Sequence, residues 1–145
     1  IVSVKKKLPY LSDPAYLKYK GVTPADEAGD YILMHLPFHA DGKTPRFADS
    51  VFQPKHPKNT FVLYYTDQCP FASQYALRFA DWMSSWGQAC VVHHITTRED
   101  AQSCPGPVTS YALFYGDTYL TNDIQSEKKA EKLWKTYGSK TVQAG

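Results

Sequence analysis

Cysteine is scarce in these 145 residues and odd in number: Cys69, Cys90 and Cys104 make up the set. So sparse and odd a set makes a poor disulfide framework. There is no C-x-x-C pair, and the one C-x-x-H spacing, Cys90 to His93, has no second pair to complete a zinc box. His93 and His94 are neighbours on an expected strand, where they point to opposite faces and cannot easily share a metal, so no metal centre is expected. Free thiols in a reducing, cytoplasmic compartment follow as the expectation. Long apolar runs are also missing: none approaches the ~20 residues a membrane-crossing helix needs, so no spanning helix is expected. Ile1 and the basic Lys5, Lys6 and Lys7 do not make the charged segment and apolar core of a signal peptide. Charge of one sign is lacking as well. Lys and Arg number 16 against 14 Asp and Glu, a net +2, too little by itself for a nucleic-acid footprint, and neither nucleic acid nor membrane is an expected partner. No internal repeat or low-complexity tract is visible.

Apolar and aromatic side chains are plentiful: 43% of residues are hydrophobic, with 11 Tyr, 7 Phe and 3 Trp. That area is ample to bury, which excludes disorder as the overall description. The length allows one ordinary domain, or one compact domain plus a piece of another. The chain reads as beginning in mid-structure, with no initiator Met and a short strand already at 1–4. Asp13 before Pro14 supplies an N-cap and a first-turn proline for a brief helix over 15–20, stopped at Gly21. After a polar turn, 30–37 reads as another strand. One strand, a short helix and another strand cannot close a core alone. Residues 1–38 therefore either pack on the rest or end a domain that starts upstream.

Residues 39–59 hold Pro45, Pro54 and Pro57, a density that excludes a regular helix or central strand. They read as a surface linker pinned by its Phe residues, with His56 solvated. From residue 60 the pattern sharpens. F-V-L-Y-Y-T at 61–66 is a buried strand, and Pro70 opens a helix to about Trp86 whose Phe71, Tyr75, Phe79, Trp82 and Trp86 form one apolar stripe. Strands follow at 89–95, 109–115 and 118–121, the last two a hairpin around Gly116 and Asp117. A short helix lies at 97–102, a Ser126-capped helix runs to about Tyr137, and 139–145 is a frayed tail. The order β-α-β-α-β-β-α over 60–138 is the thioredoxin-like arrangement, with one parallel pair and a closing antiparallel hairpin.

In that arrangement the loop after the first strand keeps the chemistry, and here it carries Cys69. A thiol at a helix start meets unpaired N–H groups and the positive end of the dipole, which favour thiolate. C-P-F-A at 69–72 begins like a glutaredoxin-type C-P-[YF]-C motif, but Ala72 replaces the second thiol. That excludes an internal dithiol cycle and leaves a one-cysteine cycle through a mixed disulfide. Against this stands a half-buried structural cysteine. Pro107 is the candidate for the cis-proline that faces the reactive cysteine in such folds, and Cys104 the candidate resolving thiol; a free buried cysteine is the alternative for Cys104. Cys90 reads as core. His35, His93 and His94 read as hydrogen-bonded structural residues, with no Ser or Asp placed for a triad.

Several stretches together resemble the C-terminal part of YoaP-like acetyltransferases. These are K-K-K-L-P-Y-L-S-D-P at 5–14, Y-L-K-Y-K-G at 16–21, Y-Y-T-D-Q-C-P-F at 64–71, A-Q at 101–102, P-G-P at 105–107, L-F-Y-G at 113–116 and T-N-D-I-Q-S-E-K-K at 121–129. The resemblance implies the end of a GNAT-type N-acetyltransferase domain, a β-α-β remnant over 1–38, joined through 39–59 to a thioredoxin-like domain over 60–138. It also implies acetyl-CoA as cofactor of the parent protein, bound upstream by a Gly-rich [QR]-x-x-G-x-[GA] loop that this chain does not contain. No cofactor is then expected for the chain alone. The missing N-terminal acetyltransferase half would be a partner, and a small-molecule or peptide amine the substrate. Many GNAT enzymes use a tyrosine four residues before the glycine ending the last helix as general acid. Leu17 stands there in this chain, between Tyr16 and Tyr19, which are the weak catalytic candidates. The readings that follow are an acetyltransferase fragment inactive alone, a monothiol redox module acting through Cys69, or a non-catalytic interaction domain.

Overall fold

The computed structural model describes residues 1–6 and 11–138. Most of the loop expected at 8–12, and the tail expected at 139–145, lie outside the described residues. The chain is mixed α/β, with a three-stranded and a four-stranded sheet.

The small sheet has the order β1-β3-β2, from Val2–Val4, Tyr31–His35 and Thr23–Ala28, all antiparallel. Helix α1, Pro14–Tyr19, lies between β1 and β2. Its start follows the expected chemistry: the Asp13 carboxylate accepts from the Ala15 N–H at 2.8 Å, and Pro14 occupies the first turn without wasting a donor. Strand β2 stands where a polar turn was expected. T-P-A-D-E-A has no apolar alternation because β2 is an edge strand in which only Ala28 is buried, and a register shift between Pro24 and Asp26 bends it. The Asp26 carboxylate accepts from the Phe47 N–H at 2.8 Å, tying the linker down. Of the Phe residues in and just before the linker only Phe47 is an anchor, packing with Val4, Ala28 and Tyr31; Phe38 and Phe52 are exposed. The linker also forms one helical turn, α2, Asp49–Phe52.

The large sheet has the order β5-β4-β6-β7: Cys90–His94, Phe61–Tyr65, Tyr111–Tyr115 and Thr118–Thr121. β4 runs parallel to β5 and antiparallel to β6, and β7 closes a hairpin on β6. Gly116, at φ +54°, makes that tight turn in a region open to few other residues. Helix α3, Pro70–Ser85, connects β4 to β5, and α4, Arg98–Ser103, follows β5 under a Thr97–Asp100 capping box. Ser126 caps α5, Glu127–Leu133, which continues as a π-helical turn over Trp134–Gly138.

One face of this sheet carries Phe61, Leu63, Tyr65, Tyr111 and Leu113 against α3 and Ala130 of α5. The face α3 buries is Ala72, Ala76, Phe79 and Met83, one position round from the expected aromatic stripe, and Phe71 is 61% exposed. Small alanines let the helix approach the large rings of the sheet, so the big side chains flank the contact. The opposite face carries Val62, Ala112 and Phe114, with Tyr64 and Tyr119. His56 of the linker packs there, its ring 4.7 Å from that of Phe114, rather than standing in solvent.

Candidate functional site

The backbone delivers Cys69 to the end of β4 as the N-cap of α3, at φ −116° and ψ 119°, with Pro70 in the first turn. Its side chain makes no capping hydrogen bond and is half-buried. Beside it opens a cavity of about 510 Å³, whose lining includes Leu11, Cys69, Phe71, Tyr75, Tyr111 and Asp123. Tyr111 begins β6 opposite Tyr65 and is 1% exposed, yet its hydroxyl makes no well-formed hydrogen bond. Burial pushes its pKa above the usual tyrosine value; the Gln125 backbone N–H pulls the other way, while the charges of Cys90 and Asp123 add to the rise. The other buried hydroxyl without a partner among the described residues is that of Thr66. Thr66 follows β4 directly, and its backbone N–H meets the Ser110 carbonyl at 3.3 Å. Both orphaned hydroxyls therefore belong to the sheet end that carries Cys69. Buried hydroxyls normally find partners, so their concentration at one corner is informative.

Asp123 stands at this cavity in an ion pair with Lys129 at 2.9 Å. Its backbone is fixed on both sides: its N–H donates to Thr121 Oγ1 at 2.9 Å and its carbonyl accepts from Gln125 Nε2 at 2.7 Å. Next to it, Asn122 Oδ1 accepts from the Tyr31 hydroxyl at 2.8 Å. That proton being spent, Tyr119 donates its own to Tyr31 across 2.8 Å. Tyr31 belongs to the small sheet and Tyr119 to the large one, so this chain of hydroxyls joins the two. It also borders a second cavity of about 580 Å³, lined by Tyr31, Tyr119, Pro105 and Pro107 among others.

The remaining expected site residues are not gathered at Cys69. Cys104 is buried near Tyr64 and Tyr119, which belong to the sheet face opposite the one that packs Cys69. Its sulfur accepts from the Gly106 N–H at 3.4 Å, and burial pushes the thiol up to about 11. Pro107 lines the second cavity, and no peptide bond among the described residues is cis, so it does not fill the cis-proline place. Cys90 is half-buried in the α3 core, with its thiol pushed up to about 12 by burial. Tyr16 and Tyr19 are 57% and 82% exposed on α1, and the Lys20 ammonium lies over both rings.

His93 and His94 do point apart. His93 stacks on Tyr64 with ring centroids 4.7 Å apart, and burial together with the His56 charge lowers its pKa. His94 stacks on Tyr65 and pairs with Asp67 at 2.8 Å. His56 takes the Tyr64 hydroxyl at Nε2, 3.0 Å away, and holds the Gly116 carbonyl at Nδ1 across 2.8 Å. Among the described residues no group of His, Cys, Asp and Glu is placed to hold a metal ion. No helix among them is long and apolar enough to cross a membrane.

Comparison with known proteins adds what geometry alone does not. The YoaP-like family model matches residues 91–132, a stretch that holds Tyr111, Asn122, Asp123 and Lys129. Over 136 residues the chain is 32% identical to a protein of Bacillus subtilis (strain 168) described as an uncharacterized N-acetyltransferase, YoaP, covering 93% of this chain and 54% of that protein. The chain thus spans about half the length of the curated relative it matches. No solved structure matches it. The resemblance to YoaP-like acetyltransferases read from the sequence is borne out.

Proposed function

We propose, from the kinship of this chain with YoaP-like acetyltransferases, that it is the carboxy-terminal portion of a GNAT-type N-acetyltransferase. In this reading residues 1–38 complete the acetyltransferase sheet, 39–59 link, and 60–138 form an accessory thioredoxin-like domain that holds the amine to be acetylated. The observation that carries it is the 32% identity, over 93% of the chain, to a protein described as an N-acetyltransferase of which the match covers 54%. Support for the accessory fold comes from the order β5-β4-β6-β7, with β4 parallel to β5 and the closing hairpin antiparallel. Exposed Ile1, Leu36 and Phe38 on and beside the small sheet suit a further piece of protein packing there.

The chain's own residues do not fit acetyl-CoA. A pyrophosphate seeks a helix N-terminus with free N–H groups and glycines that let it approach. Here the helix starts carry Asp13, Asp49, Asp100 and Glu127, and α3 opens on D-Q-C-P-F-A, with no glycine to let a pyrophosphate approach. The acetyl donor is therefore held by the portion upstream, and this chain serves the acceptor. Calorimetry tests the division: residues 1–145 bind no acetyl-CoA in the micromolar range, whereas a form extended upstream binds it and acetylates members of an amine panel. Micromolar binding by 1–145, or an extended form that acetylates nothing in the panel, overturns the reading.

A further inference from the structure

We propose that the cavity at the head of α3 binds a compact primary amine whose apolar body ends in an oxygen, the oxygen accepting from Tyr111 and the ammonium lying against Asp123. This deepens the acetyltransferase reading by naming the class of acceptor, and it rests on that reading only for the fate of the bound amine. The volume, about 510 Å³, is that of a small-molecule site. Leu11, Phe71, Tyr75 and Ile124 supply an apolar lining for the body of the ligand. Tyr111 lines the cavity and its O–H is buried without an acceptor, the nearby Gln125 backbone N–H being itself a donor; a donor so placed asks for a ligand oxygen rather than for a methyl group. The carboxylate of Asp123 shares the same lining and sits on a backbone clamped by Thr121 and Gln125, so its position is set before any ligand arrives. It is close enough to Tyr111 and Tyr31 to add to the rise of both, and Lys129, its ion-pair partner, lines the cavity with it. Lys129 already neutralises part of that charge at 2.9 Å, and a ligand ammonium joins the pair as a second cation on the carboxylate's remaining acceptor sites.

The probes are tyramine, phenethylamine, which lacks only the hydroxyl, and 4-hydroxyphenylpropionate, which exchanges the ammonium for a carboxylate. In calorimetry on residues 1–145, tyramine should bind roughly 10- to 100-fold more tightly than phenethylamine, because a site built to bond an oxygen rejects the analogue without it. Tyr111→Phe should bring the two within about twofold of each other, and Asp123→Asn should weaken both by about tenfold. A second measurement needs no variant: tyramine should slow alkylation of Cys69 in the unaltered chain at concentrations where phenethylamine does not. Absence of millimolar binding by either amine, equal affinity for both, or a carboxylate that binds more tightly than tyramine overturns the proposal. Acetyl-CoA takes no part in these titrations. Tyramine that binds here but is left unacetylated by the extended form therefore supports the site while removing the acetyltransferase role.

Discussion

Two chemically identical substitutions should act with opposite sign. Tyr31→Phe removes an oxygen that gives a proton to Asn122 and takes one from Tyr119, each across 2.8 Å. Burial raises the Tyr119 pKa, and the change leaves its O–H without this acceptor. A hydrogen bond contributes about 1 kcal/mol net, and stranding a buried partner costs about 1–3 kcal/mol, so the loss should be roughly 2–3 kcal/mol. Tyr111→Phe removes a hydroxyl that is buried without a well-formed bond and should leave stability unchanged or raise it by up to about 1 kcal/mol. Urea unfolding with a common m-value reads both, and the first should lower the melting temperature by about 5–10 °C in a chain of this size. Because the Tyr31 bonds join the two sheets, amides of β1 and β3 should exchange faster in Tyr31→Phe while those of β4 do not. Tyr31→Phe within about 0.5 kcal/mol of the parent, or Tyr111→Phe losing more than about 1 kcal/mol, would refute the hydrogen-bond accounting.

Two further outcomes follow from the same packing. Gly106→Ala would place a Cβ 2.5 Å from that of Ala112 and 3.1 Å from the Val108 carbonyl. Neither neighbour can rotate away, so thermal unfolding should show a loss of about 1–3 kcal/mol. Cys90 and Cys104 are held at about 12 and about 11, against a usual thiol value of 9.0, and Tyr31, Tyr64, Tyr111 and Tyr119 are raised too. The folded chain thus holds these protons more tightly than the unfolded one, so their contribution is complete below the usual values and is lost as the pH climbs through the raised ones. Urea midpoints should fall steadily from the usual thiol value, 9.0, toward about 12, and Cys90→Ala should flatten the first part of that fall.

What could be read in the sequence is what local chemistry dictates. Asp13 with Pro14 and Ser126 begin helices because each offers an oxygen to an unpaired N–H, and both do so in the structure. The run F-V-L-Y-Y is a strand because its side chains suit a sheet buried on both faces, and it lies at the centre of the large sheet, between β5 and β6. Long-range packing overrode the local signal elsewhere. T-P-A-D-E-A is a strand only because β3 offers it a ladder, and His56 leaves solvent only because Tyr64, Phe114 and Gly116 present two hydrogen bonds and a ring. The α3 stripe was misplaced by one position because an aromatic looks more buried than an alanine, whereas a helix lying on Phe61 and Tyr111 needs alanine at the contact.

The same distinction separates the two halves of the candidate site. Cys69 was visible because its chemistry is local: a thiol, a proline and the start of a helix are adjacent in the chain. Tyr111 was not, because within Y-A-L-F-Y nothing distinguishes a tyrosine whose hydroxyl finds a partner from one whose hydroxyl does not. Tyr115, at the other end of the same strand and on the same face, is only half-buried, whereas Tyr111 is enclosed beneath the head of α3. The difference arises where Ile124 and Asp123 return to the sheet beside Cys69, a contact between segments far apart in sequence. A lone thiol at a helix start is common and commits the fold to little. An orphaned hydroxyl is costly, and a chain that carries one beside an open cavity bears that cost in the free state and recovers it when an acceptor enters. Ligand binding should therefore stabilise the unaltered chain by more than it stabilises Tyr111→Phe, and the difference between the two thermal shifts at saturating tyramine isolates the hydroxyl's share.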